Sequence, residues 1–411
     1  VTSPTVRLFI FLPQLPYPPR SGGRIVTAPL VDGLAAKHEV HLFSLLHGFE
    51  GEEEGRRLLA ERVASLSTAP GTKRLAPGPL LSAAISKNPY KVHRFWRPSL
   101  LAAAREIAKQ SPPDAIHCQN FYTARYAKEL EAPRKILYEE NFEALLLDRW
   151  MERVTNPFLS KLIRMERKRT LEYEMESARW FDRMATISSA DEQRFRAAAA
   201  EFPDTAKHFE TSLRTVRPSI DSNYYNPKVL AEVPSPFPKN DERKHVVFTG
   251  SFNYLANVDG ALWMAQKVTL RLPRDHYSLW LVGQRPEEAV QKLHDPPRVY
   301  VTGAVEDVRP YLFHADASIV PLRIGGGIRL KILESLALGC PLVSTPVGCE
   351  GLWSKEDPPE WRIAEEPGEF AIAIQEACAQ SRRSERLRKW VVERFSPERF
   401  VSEMEGLYSS T

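Results

Sequence analysis

Short apolar runs recur along the chain, each followed by a turn rich in glycine or proline and then by a stretch with helical spacing of apolar positions. In the first half the runs VRLFIFLP (6–13), EVHLFSL (39–45), DAIHC (114–118), KILYEEN (135–141) and RMATIS (183–188) predict strands. A helix is expected between the turn QLPYPPRSGGR and Lys37, and a long charged helical stretch between Leu145 and Arg179. The proline-dense segment near 216–244 suits a linker better than any element interior. The pattern then restarts with strands at HVVFTGS (245–251), YSLWLVG (277–283), VYVTG (299–303) and ASIVPL (317–322), with helices over Asn257–Leu270 and VEDVRPYLFHA. From Glu365 to Tyr408 the chain reads as helix, bent at Pro397. Strands alternating with helices predict an α/β protein with parallel sheets covered on both faces. Two such lobes are expected to face each other across a cleft, over 1–220 and 221–396, with a terminal helix at 397–411 packing back on the first.

A length of 411 residues agrees with two cores rather than one. The apolar runs are too short to span a bilayer, and the first reads as a buried strand rather than a signal peptide. Cys118, Cys340, Cys349 and Cys378 lack CxxC spacing and read as reduced thiols of a cytosolic protein. Basic residues cluster between Thr72 and Lys109, where Lys73, Arg74, Lys87, Lys91, Arg94, Arg97, Arg105 and Lys109 face Glu106 alone. Such a face attracts anionic lipid or a phosphorylated acceptor, or is simply solvated. No nucleic-acid-reading motif accompanies it.

The most telling stretch is PLRIGGGIRLKILESLALGCPLVSTPVG, Pro321 to Gly348. Gly325, Gly326 and Gly327 let the backbone take positive φ and approach a ligand. The helix expected over Ile328–Leu338 would present unpaired N–H groups to a phosphate. It is apolar nearly all round, at Leu330, Ile332, Leu333, Leu336 and Ala337, so it should be buried. Lys331, Glu334 and Ser335 share one stripe, which points them into a site for phosphates and hydroxyls. The alternative is an ordinary i, i+3 ion pair on a solvated face.

Gly22 and Gly23 lie between the first strand and helix, where α/β sheets hold an anion, although a plain tight turn is the default reading of two glycines alone. The loop is not GxGxxG, which disfavours a nicotinamide-dependent enzyme. His117 is read as ending its strand at a ligand-facing edge, and Glu139, Glu140 and Asn141 as ending the next. There is no D-x-D and no metal-spaced His/Cys/Asp cluster, so no metal or other cofactor is expected.

FTGSFNYLANVDGALWM, LVGQRP, VYVTGAVEDVRPYL and PLRIGGGIRLKILESLALGCPLVSTPVGCEGL, in that order, resemble the C-terminal lobe of GT-B glycosyltransferases of family 4. LPYPPRSGGR, DAIHC, YEENFEA and VRPSIDSNYY fit the same family, so the resemblance covers nearly the whole chain. It implies two Rossmann-like doubly wound lobes, the first for an acceptor and the second for a nucleotide-sugar. It also implies a retaining, metal-independent transfer of a sugar to an acceptor hydroxyl, in bacterial cell-surface glycan or glycolipid synthesis.

By position, Glu334 resembles the glutamate that holds the donor ribose, and Arg329 and Lys331 the cations on the diphosphate. His117, Arg329 and Lys331 are the residues the resemblance marks as catalytic. Gly22, Gly23, Gly250, Ser251, Val305, Gly325, Gly326, Gly327, Ile328 and Leu333 complete the implied donor site, with Val305 near the base. Glu140 and Asn141 fall toward the acceptor. Three departures stand out. Gly326 occupies the place of a frequent second glutamate, GSFNYLAN lacks the usual Arg and Lys after its strand, and Glu140 replaces a frequent histidine.

The expected partners are a nucleotide-sugar, UDP-linked in preference to GDP-mannose, and a glycan, lipid-linked or small-molecule acceptor. Nucleic acid is not expected. The expected location is the cytoplasm, with peripheral association at the inner face of the membrane a further expectation. A nucleotide-sugar epimerase of the same fold and a non-catalytic nucleotide-sugar-binding relative remain open as alternatives.

Overall fold

A computed structural model describes residues 5–19, 22–73, 75–152, 154–352, 358, 360–380 and 383–409. Arg20, Ser21 and Arg74, which belong to two of the stretches above, lie outside the described residues. The chain forms two compact units, 1–219 with 397–411, and 220–396.

The first unit is built on a seven-stranded sheet: β1 (Arg7–Leu12), β2 (Glu39–Leu46), β3 (Ser65–Pro70), β4 (Ala115–Gln119), β5 (Arg134–Glu139), β6 (Arg183–Thr186) and β7 (Leu213–Thr215). Its order is β3-β2-β1-β4-β5-β6-β7, and every pair is parallel. The second unit holds β8 (Lys244–Thr249), β9 (Tyr277–Val282), β10 (Val299–Gly303), β11 (Ala317–Val320), β12 (Leu342–Ser344) and β13 (Trp361–Ile363). These pair in the order β10-β9-β8-β11-β12-β13, again all parallel. The near-continuous apolar runs are explained by helices on both faces: β1 is buried from Leu8 to Leu12 and β11 throughout.

The strand order also marks a candidate binding position in each sheet by topology alone. In the first sheet the connections run outward from β1 on one side and from β4 on the other, and in the second they diverge between β8 and β11. A crevice outside the carboxyl ends of strands at such a reversal is where open α/β sheets bind ligands.

Several elements differ from the sequence expectation. The long charged stretch is two helices, Glu143–Met151 and Pro157–Ala178, because Asn156 caps the second by accepting from Phe158 N and Leu159 N. The helix expected over Asn257–Leu270 is α-helical only over Leu255–Trp263 and continues as a π turn, Met264–Val268, and a 3-10 turn, Thr269–Arg271. The helix of the glycine stretch is shorter than expected, Leu330–Ala337, leaving Ile328 and Arg329 in the loop before it. Cys118 and Cys340 are buried free thiols, and Cys349 and Cys378 are buried too. Among the described residues no helix is long and apolar enough to cross a membrane.

Candidate functional site

In the second unit, the residues at the β8/β11 reversal converge through Lys331. The short helix Leu330–Ala337 packs its apolar face into the core and turns Lys331 back toward β8. The Lys331 ammonium donates to the Thr249 carbonyl at 2.6 Å and to Asn257 Oδ1 at 2.9 Å, and lies 4.6 Å from the centre of the Phe248 ring. Asn257 in turn donates to the Ser251 carbonyl at 2.9 Å, which fixes the turn after β8. An ammonium has three N–H bonds, so one remains for an incoming anion. Burial, with Arg329 close by, pushes the Lys331 pKa down to about 7.

Lys331 and Glu334 do not form the i, i+3 ion pair that was the alternative reading. Glu334 is buried and its Oε1 accepts from the Tyr225 hydroxyl at 2.8 Å. Burial raises the Glu334 pKa, opposed by the Tyr225 hydrogen bond and by Lys331. Tyr225 is itself held by Arg388, which donates to its carbonyl at 2.7 Å. Ser335 serves packing: its hydroxyl donates to Ser318 Oγ at 2.8 Å across to β11.

Glycine is required here for two separate reasons. Gly325 and Gly327 have φ of 131° and 70°, the positive φ expected of this loop. At Gly250 a Cβ would lie 2.7 Å from Asn257 Nδ2 and 3.1 Å from Lys331 Nζ, so any side chain would fill the space beside the ammonium. Arg329 sits at the start of the helix and its guanidinium donates to the Gly326 carbonyl. Leu333 is wholly buried in the core, and Ile328 is half-buried in the loop. Val305 follows the end of β10, the edge strand, two strands away from β8.

In the first unit, Gly22 and Gly23 open the helix Gly22–Ala35 at the β1/β4 reversal. A carboxylate occupies the place where an anion was expected. A Cβ on Gly23 would lie 3.0 Å from Glu140 Oε2 and 3.1 Å from Gln14 Nε2. Glu140 Oε1 accepts from Gln119 Nε2 at 2.7 Å, and its backbone N–H donates to Asn120 Oδ1 at 3.1 Å. Burial raises the Glu140 pKa, and the Gln119 and Asn120 side chains hold it down in part. This end of the sheet suits a hydroxyl better than a phosphate. Asn141 is half-buried just beyond.

His117 requires a correction. It is the third of the five residues of β4, not the last, and has no exposed surface. Its Nδ1 lies 2.8 Å from the Tyr408 hydroxyl and its Nε2 3.3 Å from Gln119 Oε1. Gln119 donates its amide to Glu140, so its oxygen faces the ring; Nε2 carries the proton and Nδ1 accepts from Tyr408. Burial lowers the His117 pKa to about 4, keeping the ring neutral. The row Tyr408–His117–Gln119–Glu140 connects His117 to Glu140 through Gln119.

Sequence reasoning did not single out Tyr225, Asn257, Gln119 or Asn120. Only Asn120 carried a local signal, an asparagine after a strand that takes φ of 64°. Among the described residues, no group of three or more His, Cys, Asp or Glu is placed to hold a metal ion.

Residues 243–380 match the family model described as Glycosyl transferases group 1. No curated protein sequence matches the chain. Among solved structures, a sucrose-phosphate synthase from Thermosynechococcus elongatus is 15% identical, with a TM-score of 0.70 and 98% of each chain covered. HepE from Anabaena in complex with UDP is 13% identical at a TM-score of 0.67, covering 99% of this chain and 100% of that one. The catalytic domain of starch synthase IV from Arabidopsis thaliana, bound to ADP and acarbose, is 15% identical at 0.65, with 99% of each covered. These likenesses establish a GT-B fold, two Rossmann-like units each with its own parallel sheet.

Proposed function

We propose that this chain is a glycosyltransferase that moves a sugar from a nucleoside-diphosphate sugar to an acceptor hydroxyl. The observation that carries the reading is the half-buried Lys331 ammonium, held by Thr249 and Asn257 beside Gly250 with one N–H unspent. A half-buried cation next to a glycine loop and a helix N-terminus is suited to a diphosphate. The family match over 243–380 supports it, as does HepE, which was solved with UDP and with UDP-glucose.

Arg329 and Lys331 take the diphosphate and stabilise the charge that develops as the bond from the anomeric carbon to the phosphate oxygen breaks. Glu334 accepts from the ribose hydroxyls, sharing its carboxylate with Tyr225. Glu140 and Asn141 orient the acceptor hydroxyl, whose oxygen forms the new bond to the anomeric carbon. Its proton passes to the departing phosphate oxygen on the same face, which gives retention without a metal ion. A UDP-sugar donor, a role in cell-surface glycan or glycolipid synthesis and a cytoplasmic location complete the proposal; they rest on the resemblance to family 4.

Loss of charged hydrogen bonds worth about 1.5–3 kcal/mol should raise the donor KM of Glu334→Ala by about 10- to 100-fold. Arg329→Ala and Lys331→Ala should lower kcat. A thermal-shift panel of UDP, GDP and ADP checks the donor class first, because a ligand that binds the folded state raises Tm. Wild-type kinetics in all three variants would sink the assignment. Turnover of a labelled donor to an epimer, or binding without turnover, would replace it with one of the two alternatives.

A further inference from the structure

The first unit carries an apolar surface that neither its core nor its site uses. The helix Pro77–Ile85 has the sequence PGPLLSAAI and buries only Ala83. Leu80, Leu81 and Ile85 stand on its outer face, with Leu81 67% and Ile85 83% exposed. On the helix Pro157–Ala178, Phe158, Leu162 and Met165 are also exposed, Phe158 at 72%. Their spacing of i, i+4 and i+7 puts them on one stripe. The next member of that stripe is Arg169, whose guanidinium donates to the Ala83 carbonyl at 2.8 Å. One turn away, Glu166 accepts from Tyr90 N at 2.6 Å, tying the same helix to the segment that follows Ile85. The stripe thus ends at the apolar helix, which the Arg169 bond joins to it. Contiguous exposed apolar side chains of this size mark a docking face.

Charge selects the occupant. Lys161 and Arg164 flank the stripe on the long helix, and Lys73 and Lys87 flank the apolar helix. None of these four has an ion pair among the described residues. In the same region, by contrast, Lys91 pairs with Glu143, Arg105 with Glu129 at 3.1 Å, and Lys109 with Glu106 at 2.8 Å. Three cations of the basic stretch are thus paired, whereas Lys73, Lys87, Lys161 and Arg164, around the apolar patch, are not. An apolar centre rimmed by unpaired lysine and arginine fits the boundary between acyl chains and anionic headgroups.

We infer that the face formed by Pro77–Ile85 and the first half of Pro157–Ala178 docks the protein on an anionic lipid bilayer, Leu81, Ile85 and Phe158 entering the interface. This inference does not rest on the sugar-transfer reading, since vesicle binding is measured without donor or acceptor.

The test is sedimentation of the full chain with vesicles of phosphatidylcholine, with and without phosphatidylglycerol. Binding is expected to the anionic vesicles and to weaken as salt screens the headgroups. The double variant Leu81→Glu/Ile85→Glu, and Phe158→Glu separately, should each weaken binding by about tenfold or more, from the apolar area lost. These positions are exposed, so each variant should keep the wild-type Tm, and an unchanged response to UDP keeps failure here distinct from failure of the donor site. No binding to anionic vesicles would overturn the inference, as would binding that the glutamate substitutions leave intact. Sedimentation velocity gives the remaining outcome: self-association that the same substitutions abolish, without vesicle binding, would assign the face to a second copy of the chain.

Discussion

Lys331 is the residue at which geometry and charge make the sharpest claim. It faces the Thr249 carbonyl, Asn257 and the Phe248 ring, with Arg329 lowering and Glu334 raising its proton affinity. Its pKa of about 7 means that near neutrality it is part amine and part ammonium. A diphosphate binds the ammonium, so affinity for a nucleotide-sugar should be flat below pH 7 and fall above it, approaching tenfold per pH unit. Calorimetry in buffers of different ionisation enthalpy should show proton uptake on binding at pH 8 and little at pH 6. Lys331→Met should bind weakly and without that slope; a wild-type slope in Lys331→Met would assign the proton elsewhere. The same depressed value works against the folded state. Between about pH 7 and the unfolded value near 10.5 the unfolded chain binds more protons, so stability should rise across that window. Lys331 and Glu334 were legible from their shared stripe on an otherwise apolar helix. Tyr225 and Asn257 were not, because their importance lies in contacts 109 and 74 residues away in sequence, which no local pattern encodes.

Among the elements, the helix Pro397–Tyr408 shows how a glycine can set a packing distance. It lies on the helix Gly22–Ala35, and a Cβ at Gly33 would stand 2.4 Å from Val401 Cγ2. Gly33→Ala gains helix propensity of about 1 kcal/mol but meets a clash of about 1–3 kcal/mol, so a net loss of stability is expected. Adding Val401→Ala removes the obstructing methyls, and the double variant should recover part of that loss. Chemical denaturation of the four proteins measures the coupling, and strictly additive changes would refute the contact. Strands with continuous apolar runs were read to within about two residues, because burial on both faces leaves an unmistakable pattern. β3, β7 and β13 escaped notice. SLSTAP lies at the sheet edge with only Ala69 buried, while LRT and WRI are three residues long, below the length at which periodicity speaks. The break at Asn156-Pro157 was written plainly as a cap followed by proline, but charge on both sides masked it.

At the scale of the molecule, the α/β order was legible because alternation of strand and helix survives any error at element ends, and parallel sheets follow from it. Which residues of one unit come from distant parts of the chain is a separate matter, and it leads to a test. The helix Pro397–Tyr408 belongs to the first unit although it follows the whole of the second. It buries Phe400, Val401, Met404, Leu407 and Tyr408 there, sets the Phe400 ring 5.7 Å from that of Tyr138, and pairs Glu405 with Lys37 at 3.1 Å. The exposed ion pair adds about 0–1 kcal/mol, whereas five buried side chains at about 1.5–3 kcal/mol each outweigh it many times over. Their sum is comparable to the whole stability of an ordinary domain, about 5–15 kcal/mol. Ending the chain after residue 396 should therefore leave the first unit unfolded or nearly so at 25 °C, and strip His117 of its Tyr408 partner. The second unit is continuous over 220–396 and retains Lys331, Glu334, Tyr225 and Asn257. Calorimetry of the truncated chain should show one surviving transition, still raised by UDP if the donor site is where we place it. Retention of both units at wild-type stability would mean that the terminal helix contributes far less than its buried side chains imply. Loss of the surviving transition as well would show that the second unit cannot fold without the first.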